Sequence, residues 1–237
     1  MKTLLHRAET RGHAQHGWLN THHTFSFADY YDPERIHFGA LRVLNDDSIQ
    51  GGKGFGMHPH DNMEVITIPL TGKLEHQDSM GNKEVMRAGE IQVMSAGTGI
   101  LHSEFNADST EELTLLQIWV FPKHKNTQPR YSQISLRDVA KSDELYAIVT
   151  PNPEAEGAWI GQDAWFYLGD LSQGWKGTHS LKSDRNGVYL FVIDGSVEVQ
   201  GIQLNTRDGL GLSEVEVIDI HAITTARILL MEVPMVW

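Results

Sequence analysis

Two short clusters of histidine and glutamate in the first half of the chain have the spacing of metal ligands. His58 and His60 flank one residue, and His102 and Glu104 follow about forty residues later with the same spacing. Residues two apart on a β-strand point to one face of the sheet, so two neighbouring strands would aim these side chains at one point. Three imidazoles and one carboxylate suit iron, manganese, nickel, copper or zinc, and suit calcium or magnesium poorly. Four protein ligands on an octahedral ion leave two positions open for catalysis.

The distribution of histidine supports this interpretation. A single His-x-His pair arises easily by chance in a chain with 13 histidines, but ten of the 13 lie within the first 102 residues. His13, His16, His22 and His23 could approach a second metal, although their aromatic neighbours favour a packed wall. His76 and Asp78 share one strand face, where they either line a pocket or only satisfy each other.

Composition excludes several classes of protein. The chain has 19 basic and 31 acidic side chains, and its net charge of −12 repels phosphate backbones and anionic membrane surfaces. The absence of cysteine excludes disulfides, thiolate metal sites and a cysteine nucleophile. The first residues lack the apolar stretch of a secretory signal, and no later apolar run exceeds strand length. We therefore expect a cytoplasmic protein that binds neither nucleic acid nor membrane.

Many short strands must position these residues. The pattern predicts strands at 41–44, 65–68, 91–94, 113–121, 188–193, 215–217 and 228–233, with turns at 45–47, 81–82, 186–187 and 200–201. Only 136–146 suggests a short helix. This spacing of short strands is typical of an all-β sandwich or barrel.

An internal repeat indicates two related barrels in tandem. Residues 70–75 match residues 193–198 as apolar, any, Gly, any, apolar, Glu, and 122–157 looks like a proline-rich connector. We expect a metal-binding domain at 1–130 and a second domain at 131–237. Aligning the halves by the offset places Leu181 and Ser183 at the positions of His58 and His60, and Ala222 and Thr224 at those of His102 and Glu104. The second barrel is therefore predicted to bind no metal and to shape the pocket mouth.

These motifs together resemble the cupin superfamily and, within it, the pirin family. The first cupin motif is matched by Gly52, His58, His60, Glu64 and Gly72, and the second by Gly99, His102 and Asn106, with Ser95 near a position where cupins commonly have proline. The segments that are similar to pirins are 17–19, 23–33, 41–47 and 76–79.

The resemblance implies an antiparallel jelly-roll bicupin with one divalent transition metal in the first barrel. The implied ligands are His58, His60, His102 and Glu104, and Fe(II) is the usual ion, with Mn, Ni, Cu, Co or Zn as alternatives. In other cupins the Glu64 position is itself a ligand. Here Glu64 would orient a liganding imidazole, accept a substrate proton or serve as a hydrogen-bonding strut.

Two functions are consistent with the resemblance. One is a dioxygenase resembling quercetin 2,3-dioxygenase, which opens the heterocycle of a flavonol with O2 and releases CO, with Glu64 as the first and Glu104 as the second candidate base. The other is a non-enzymatic, metal-dependent regulatory module that binds an unidentified protein partner. A cleft beside the metal would favour the enzyme, and its expected apolar lining is Phe25, Phe27, Phe55 and Met57.

Overall fold

The computed structural model describes residues 1–237 as 22 β-strands and two 3₁₀-helices, Ala8–Thr10 and Leu136–Asp138. The first twelve strands are β1 (Lys2–His6), β2 (Gly12–Gln15), β3 (Leu19–His23), β4 (Leu41–Ile49), β5 (Gly54–His60), β6 (Glu64–Thr71), β7 (Lys73–Asp78), β8 (Lys83–Arg87), β9 (Glu90–Ser95), β10 (Ile100–Asn106), β11 (Leu113–Val120) and β12 (Arg130–Ser135). The other ten are β13 (Leu145–Thr150), β14 (Ala158–Trp159), β15 (Trp165–Leu171), β16 (Lys176–Ser180), β17 (Asn186–Asp194), β18 (Ser196–Val199), β19 (Ile202–Asn205), β20 (Gly209–Ser213), β21 (Val217–Ala222) and β22 (Ala226–Pro234). Neither helix is long or apolar enough to cross a membrane.

Each half of the chain forms a barrel from one seven-stranded and one four-stranded sheet. The first barrel has the strand orders β12-β9-β6-β11-β4-β3-β2 and β5-β10-β7-β8, and the second has β1-β20-β17-β22-β15-β13-β14 and β16-β21-β18-β19. All ladders are antiparallel except the two-residue pairing of β13 with β14. The predicted all-β bicupin is confirmed.

The internal repeat coincides with equivalent turns in the two barrels. Gly72 connects β6 to β7 with φ of 75°, and Gly195 connects β17 to β18 with φ of 84°. Glycine adopts this left-handed conformation without steric cost, which explains its recurrence at the same point of each barrel.

The two large sheets pack against each other and share one apolar core. Phe25 and Ile118 from the first barrel lie in the same buried cluster as Tyr189 and Met231 from the second. Strands also cross between the halves, because β1 pairs with β20 of the second barrel while β12 pairs with β9 of the first. The division of the chain into domains at residue 130 stays a prediction. β1 precedes this residue but lies in the second barrel, and β12 extends beyond it but lies in the first.

Three local expectations were wrong. The segment 122–157 is not only a connector, because it contains β12 and β13, and its prolines at 122, 129, 151 and 153 lie outside these strands. The expected helix at 136–146 is limited to Leu136–Asp138, and β13 begins at Leu145. The turns expected at 45–47 and 186–187 lie inside β4 and β17, because their polar side chains are buried in the protein rather than exposed at a hairpin.

Candidate metal centre

β10, an inner strand of the four-stranded sheet of the first barrel, brings the predicted ligands together. β10 lies between β5 and β7, and in this register His102 is opposite His58 on one side and Asp78 on the other. Alternate residues of β10 are buried, so His102 and Glu104 both face the interior of the barrel. The expectation that two neighbouring strands carry the two pairs therefore agrees with the geometry.

A β-bulge next to the site adjusts which side chains of β5 face inward. His102 pairs with His58, but Glu104 pairs with Phe55, so Gly56 and Met57 together lie opposite a single residue of β10. A bulge re-aims the side chains on either side of it. As a result Phe55 and His58 both line the interior cleft although they are three residues apart.

Three imidazoles converge at the centre of the site. The ring centroids of His58, His60 and His102 lie 4.4 to 5.0 Å apart, and one ring nitrogen from each lies within 4.8 Å of the others. His102 is fully buried, and neither of its ring nitrogens has a hydrogen-bond partner. Burying an unpaired polar group is costly, so this arrangement fits a group that accepts nitrogen lone pairs, as a divalent metal ion does.

The protonation of these imidazoles also suits metal binding. Burial, reinforced by the neighbouring histidines, lowers the pKa of His102 to about 2 and that of His60 to about 4. The Nδ1 of His58 lies 2.8 Å from the carbonyl oxygen of Gly56, which can only accept a hydrogen bond. Nδ1 therefore carries the proton, and Nε2 is left as the donor atom for a metal.

Glu104 lies next to His102 and lines the same cleft as His58 and His60. Its carboxylate accepts hydrogen bonds from Gln117 Nε2 at 2.6 Å and from Thr67 Oγ1 at 3.1 Å. Burial raises the pKa of Glu104 to about 7 despite these bonds. Its oxygen forms a second group of donor atoms with His102 and His76, whereas His58 and His60 converge only with His102. His102 thus links Glu104 to the other two predicted ligands.

A cleft of about 610 Å³ leads from the surface to this site. One part of its wall is aromatic and the other is polar, and His58, His60 and Glu104 lie at its inner end. The aromatic residues are Trp18, Phe27, Phe55 and Trp119, and the polar ones are Thr21, His23, Asn45, Asp47 and Gln117. A second depression of about 660 Å³ shares His58, His60 and Trp119 with it. The site is therefore accessible to a small molecule.

The lining differs in part from the expectation. Phe27 and Phe55 line the cleft, but Phe25 is buried in the core against Tyr189, and Met57 is 53% exposed. The sequence reasoning missed Gln117 and Trp119 of β11. The signal for Gln117 was present, because a lone polar residue inside an otherwise apolar strand needs a polar partner.

Glu64 lies apart from the cleft. Its Oε2 accepts hydrogen bonds from Ser95 Oγ at 2.7 Å and from the backbone nitrogen of Gly161 at 3.0 Å, and Arg130 lies 3.8 Å away. A Cβ atom at Gly161 would meet the Glu64 carboxylate at 2.7 Å, so glycine permits this approach. The structure therefore does not bring Glu64 together with the three imidazoles, and its surroundings are those of a strut between the barrels.

The other histidines of the N-terminal segment contact one another and the cleft wall. His13 and His22 stack across β2 and β3 with centroids 4.6 Å apart, and His23 bonds to Asn45 at 2.9 Å. His16 and His23 line the cleft. These contacts are those of a packed wall.

The strand register corrects the alignment of the two barrels. His179 pairs with Ile218 in the second barrel as His58 pairs with His102 in the first, so His179, and not Leu181, occupies the position of His58. Ile218 and Ile220 occupy the positions of His102 and Glu104, where the offset had placed Ala222 and Thr224. The offset failed because the loops of the two barrels differ in length.

This fold and site define a class: a bicupin with a centre for a divalent metal ion in its first barrel. Residues 5–120 match the family model described as Pirin, and residues 147–233 match the one described as quercetinase C-terminal cupin domain. A protein of Escherichia coli strain K12 named quercetin 2,3-dioxygenase is 45% identical over 230 residues, covering 97% of this chain and 98% of the relative. A pirin-like protein of Caulobacter vibrioides is 41% identical over 222 residues, covering 93% and 95%.

A solved structure extends these similarities to the fold. The crystal structure of a bacterial pirin from Escherichia coli in complex with nickel(II) matches with a TM-score of 0.93 at 43% identity, covering 98% of this chain and 99% of that one. The chain belongs to the pirin family.

Proposed function

We propose that the protein is a metal-dependent dioxygenase that opens the heterocycle of a flavonol with O2 and releases CO. The observation that carries the proposal is the cleft of about 610 Å³ that ends at His58, His60 and Glu104. Its volume lies within the range of roughly 300–1,000 Å³ typical of small-molecule sites. The similarity to relatives named quercetin 2,3-dioxygenase supports the same substrate class.

The two kinds of wall suit a flat, hydroxylated aromatic molecule. Phe27 and Trp119 contact each other edge to face, with centroids 5.3 Å apart, and offer an apolar surface to a ring. Asn45, Asp47 and Gln117 offer hydrogen bonds to ring hydroxyls.

The proposed metal ligands are His58, His60, His102 and Glu104, with iron as the first candidate and manganese, nickel, copper, cobalt or zinc as alternatives. When bound, the ion acts as a Lewis acid toward the flavonol oxygen and allows electrons to pass from the substrate to O2. Three neutral imidazoles and one carboxylate leave a positive charge that favours a deprotonated phenol-type ligand.

Glu104 is the proposed acceptor of the flavonol hydroxyl proton. In the metal-free protein burial raises the pKa of Glu104 to about 7, and a bound cation would lower it, so the carboxylate would be ionised and able to accept a proton near neutral pH. Gln117 and Thr67 hold its two oxygens in a fixed orientation at the inner end of the cleft. Glu64, the other candidate base, is engaged with Ser95 and Gly161 outside the cleft lining, so we assign it a structural role.

The test loads metal-free protein separately with iron, manganese, nickel or copper and adds quercetin in air. We expect at least one loaded form to consume flavonol and O2 in equal amounts and to release an equal amount of CO. Metal-free protein and the loaded His102→Ala variant provide the controls. Stoichiometric metal binding without flavonol loss would contradict the proposal and favour the non-enzymatic regulatory module.

A further inference from the structure

His76 lies behind the three-histidine site in a setting that the proposed function does not use. It is fully buried on β7, next to His102 and Glu104 of β10, and its ring stacks on Tyr131 with centroids 4.6 Å apart. Its Nε2 lies 3.2 Å from Oδ2 of Asp78. The two neighbours Tyr131 and Asp78 fix the orientation of the ring.

The surroundings of Asp78 determine which nitrogen of His76 carries the proton. Asp78 accepts hydrogen bonds from the backbone nitrogens of Met80 and Asn82, at 2.9 and 3.1 Å, and from Asn82 Nδ2 at 2.7 Å. A carboxylate that receives three N–H groups is stabilised as an acceptor. His76 therefore donates from Nε2, and its Nδ1 keeps an unprotonated lone pair.

That lone pair has no partner within the protein. Nδ1 of His76 is buried and makes no hydrogen bond, while donor atoms of His76, His102 and Glu104 lie within 4.8 Å of one another. An imidazole that donates one N–H to a carboxylate and directs the other nitrogen at a group of donor atoms is the usual arrangement of a metal-bound histidine.

We infer that the protein has two overlapping positions for one divalent cation. The outer position is formed by His58, His60 and His102, which Glu104 completes in the proposed ligand set, and the inner position by His76, His102 and Glu104. Both positions use His102, so His102 is essential to each. The inference depends on metal binding at this centre and is independent of flavonol chemistry.

The second barrel supplies a matched control. His179 occupies the position of His58 and not that of His76, but its contacts resemble those of His76: it bonds to a carboxylate oxygen of Glu232 at 2.9 Å and lies edge to face on Tyr167, with centroids 4.9 Å apart. The residues at the positions of His102 and Glu104, however, are Ile218 and Ile220. His179 is therefore a buried histidine that bonds to a carboxylate but belongs to no group of three potential metal ligands.

The experiment uses Co(II) alone and measures binding by calorimetry and by the visible spectrum of the ion. In the double variant His58→Ala, His60→Ala, which removes two outer ligands, we expect Co(II) binding to persist at least about 10-fold more weakly than in the unmodified protein. Adding His76→Phe, which keeps a ring against Tyr131, should weaken that residual binding by a further 10-fold or more. Adding His179→Phe instead should leave it unchanged.

Three results would overturn the inference. They are a folded double variant that binds no Co(II), residual binding that His76→Phe leaves unchanged, and residual binding that persists after His102→Ala. Circular dichroism establishes that each variant is folded, and if His76→Phe does not fold, His76→Gln takes its place in the same comparison. No flavonol is present, so these results are independent of whether the dioxygenase proposal holds.

Discussion

At the scale of single residues, the surroundings of His102 favour binding of a cation at the expense of the stability of the metal-free protein. An imidazole with two unpartnered nitrogens lies fully buried between other histidines. A buried polar group without a hydrogen bond costs about 1–3 kcal/mol. A bound cation would supply a partner for one of the two nitrogens, and any ligand that binds only the native state stabilises that state.

Glu104 makes metal binding sensitive to pH. Because burial raises its pKa to about 7, the metal-free protein holds a proton on Glu104 below pH 7, whereas a coordinated carboxylate is deprotonated. We predict that binding of Ni(II) at pH 6 releases nearly one proton from this group and that affinity falls as pH decreases below 7. Calorimetry in buffers of different ionisation enthalpy measures the released protons.

The variant Glu104→Gln is the control for this proton release. His60 and His102 contribute little at pH 6, since burial lowers their pKa values to about 4 and about 2. Proton release that is equal in Glu104→Gln and in the unmodified protein would assign the proton to another group and exclude this explanation.

At the scale of strands, polar residues inside buried segments mark the site. Asn45 and Asp47 lie on β4 and Gln117 on β11, and all three face the cleft. Asp47 accepts a hydrogen bond from Thr21 on β3. Buried polar residues of regular strands therefore supply the polar wall, which explains why the segment 45–47 looked like a turn in the sequence.

The sequence allowed prediction of six of the 22 strands, the tandem barrels and the three histidines that converge, whereas the strand expected at 215–217 begins only at Val217. These features depend on local periodicity and on motif spacing, which are visible in one dimension. The sequence left the role of Glu64 open between strut and base, and it did not allow prediction of the bulge at Gly56 and Met57 or of the register that aligns His179 with His58. Those depend on how distant strands pair, and a register shift of one residue reverses the face of every side chain.

Glu64 provides a prediction at this scale. Replacing Glu64 with Gln keeps its shape and one oxygen that can accept from both Ser95 and Gly161, but it removes the charge that strengthens these bonds and faces Arg130. We expect the free energy of unfolding to fall by about 1–3 kcal/mol, while metal content and flavonol turnover stay unchanged. Urea unfolding and steady-state kinetics measure the two effects.

The exposed Glu112→Gln variant, which should alter neither property, controls for the loss of charge. A marked fall in kcat for Glu64→Gln with full metal content would indicate that Glu64, and not Glu104, accepts the substrate proton.

At the scale of the whole molecule, the shared core and the crossing strands join the barrels into one unit. β1 forms an edge of the second barrel, where Nδ1 of His6 lies 2.8 Å from the hydroxyl of Tyr189. Arg7 continues the connection through an ion pair with Asp208 at 2.7 Å. The protein should therefore unfold as one cooperative unit rather than barrel by barrel.

Removing residues 1–6 tests this expectation. The deletion removes the β1–β20 ladder and leaves the buried Tyr189 hydroxyl without its partner, a loss of about 1–3 kcal/mol from the hydroxyl alone. We predict that the unfolding temperature falls by roughly 2–12 °C or more and that calorimetry shows one transition. Lys2→Ala, which removes only the exposed ion pair to Glu214, should change little. Two separate transitions, with only one of them shifted, would show that the barrels are energetically independent.

The pairing of β1 with β20 also affects how the protein is made. A ribosome adding about 5–20 residues per second produces β20 roughly 10–40 s after β1. During that interval β1 has no neighbouring strand to pair with. The first barrel, to which β1 does not belong, can already fold. The second barrel can therefore be completed only after nearly the whole chain has been synthesised. A nascent chain stalled before β20 would keep β1 as a free, aggregation-prone strand.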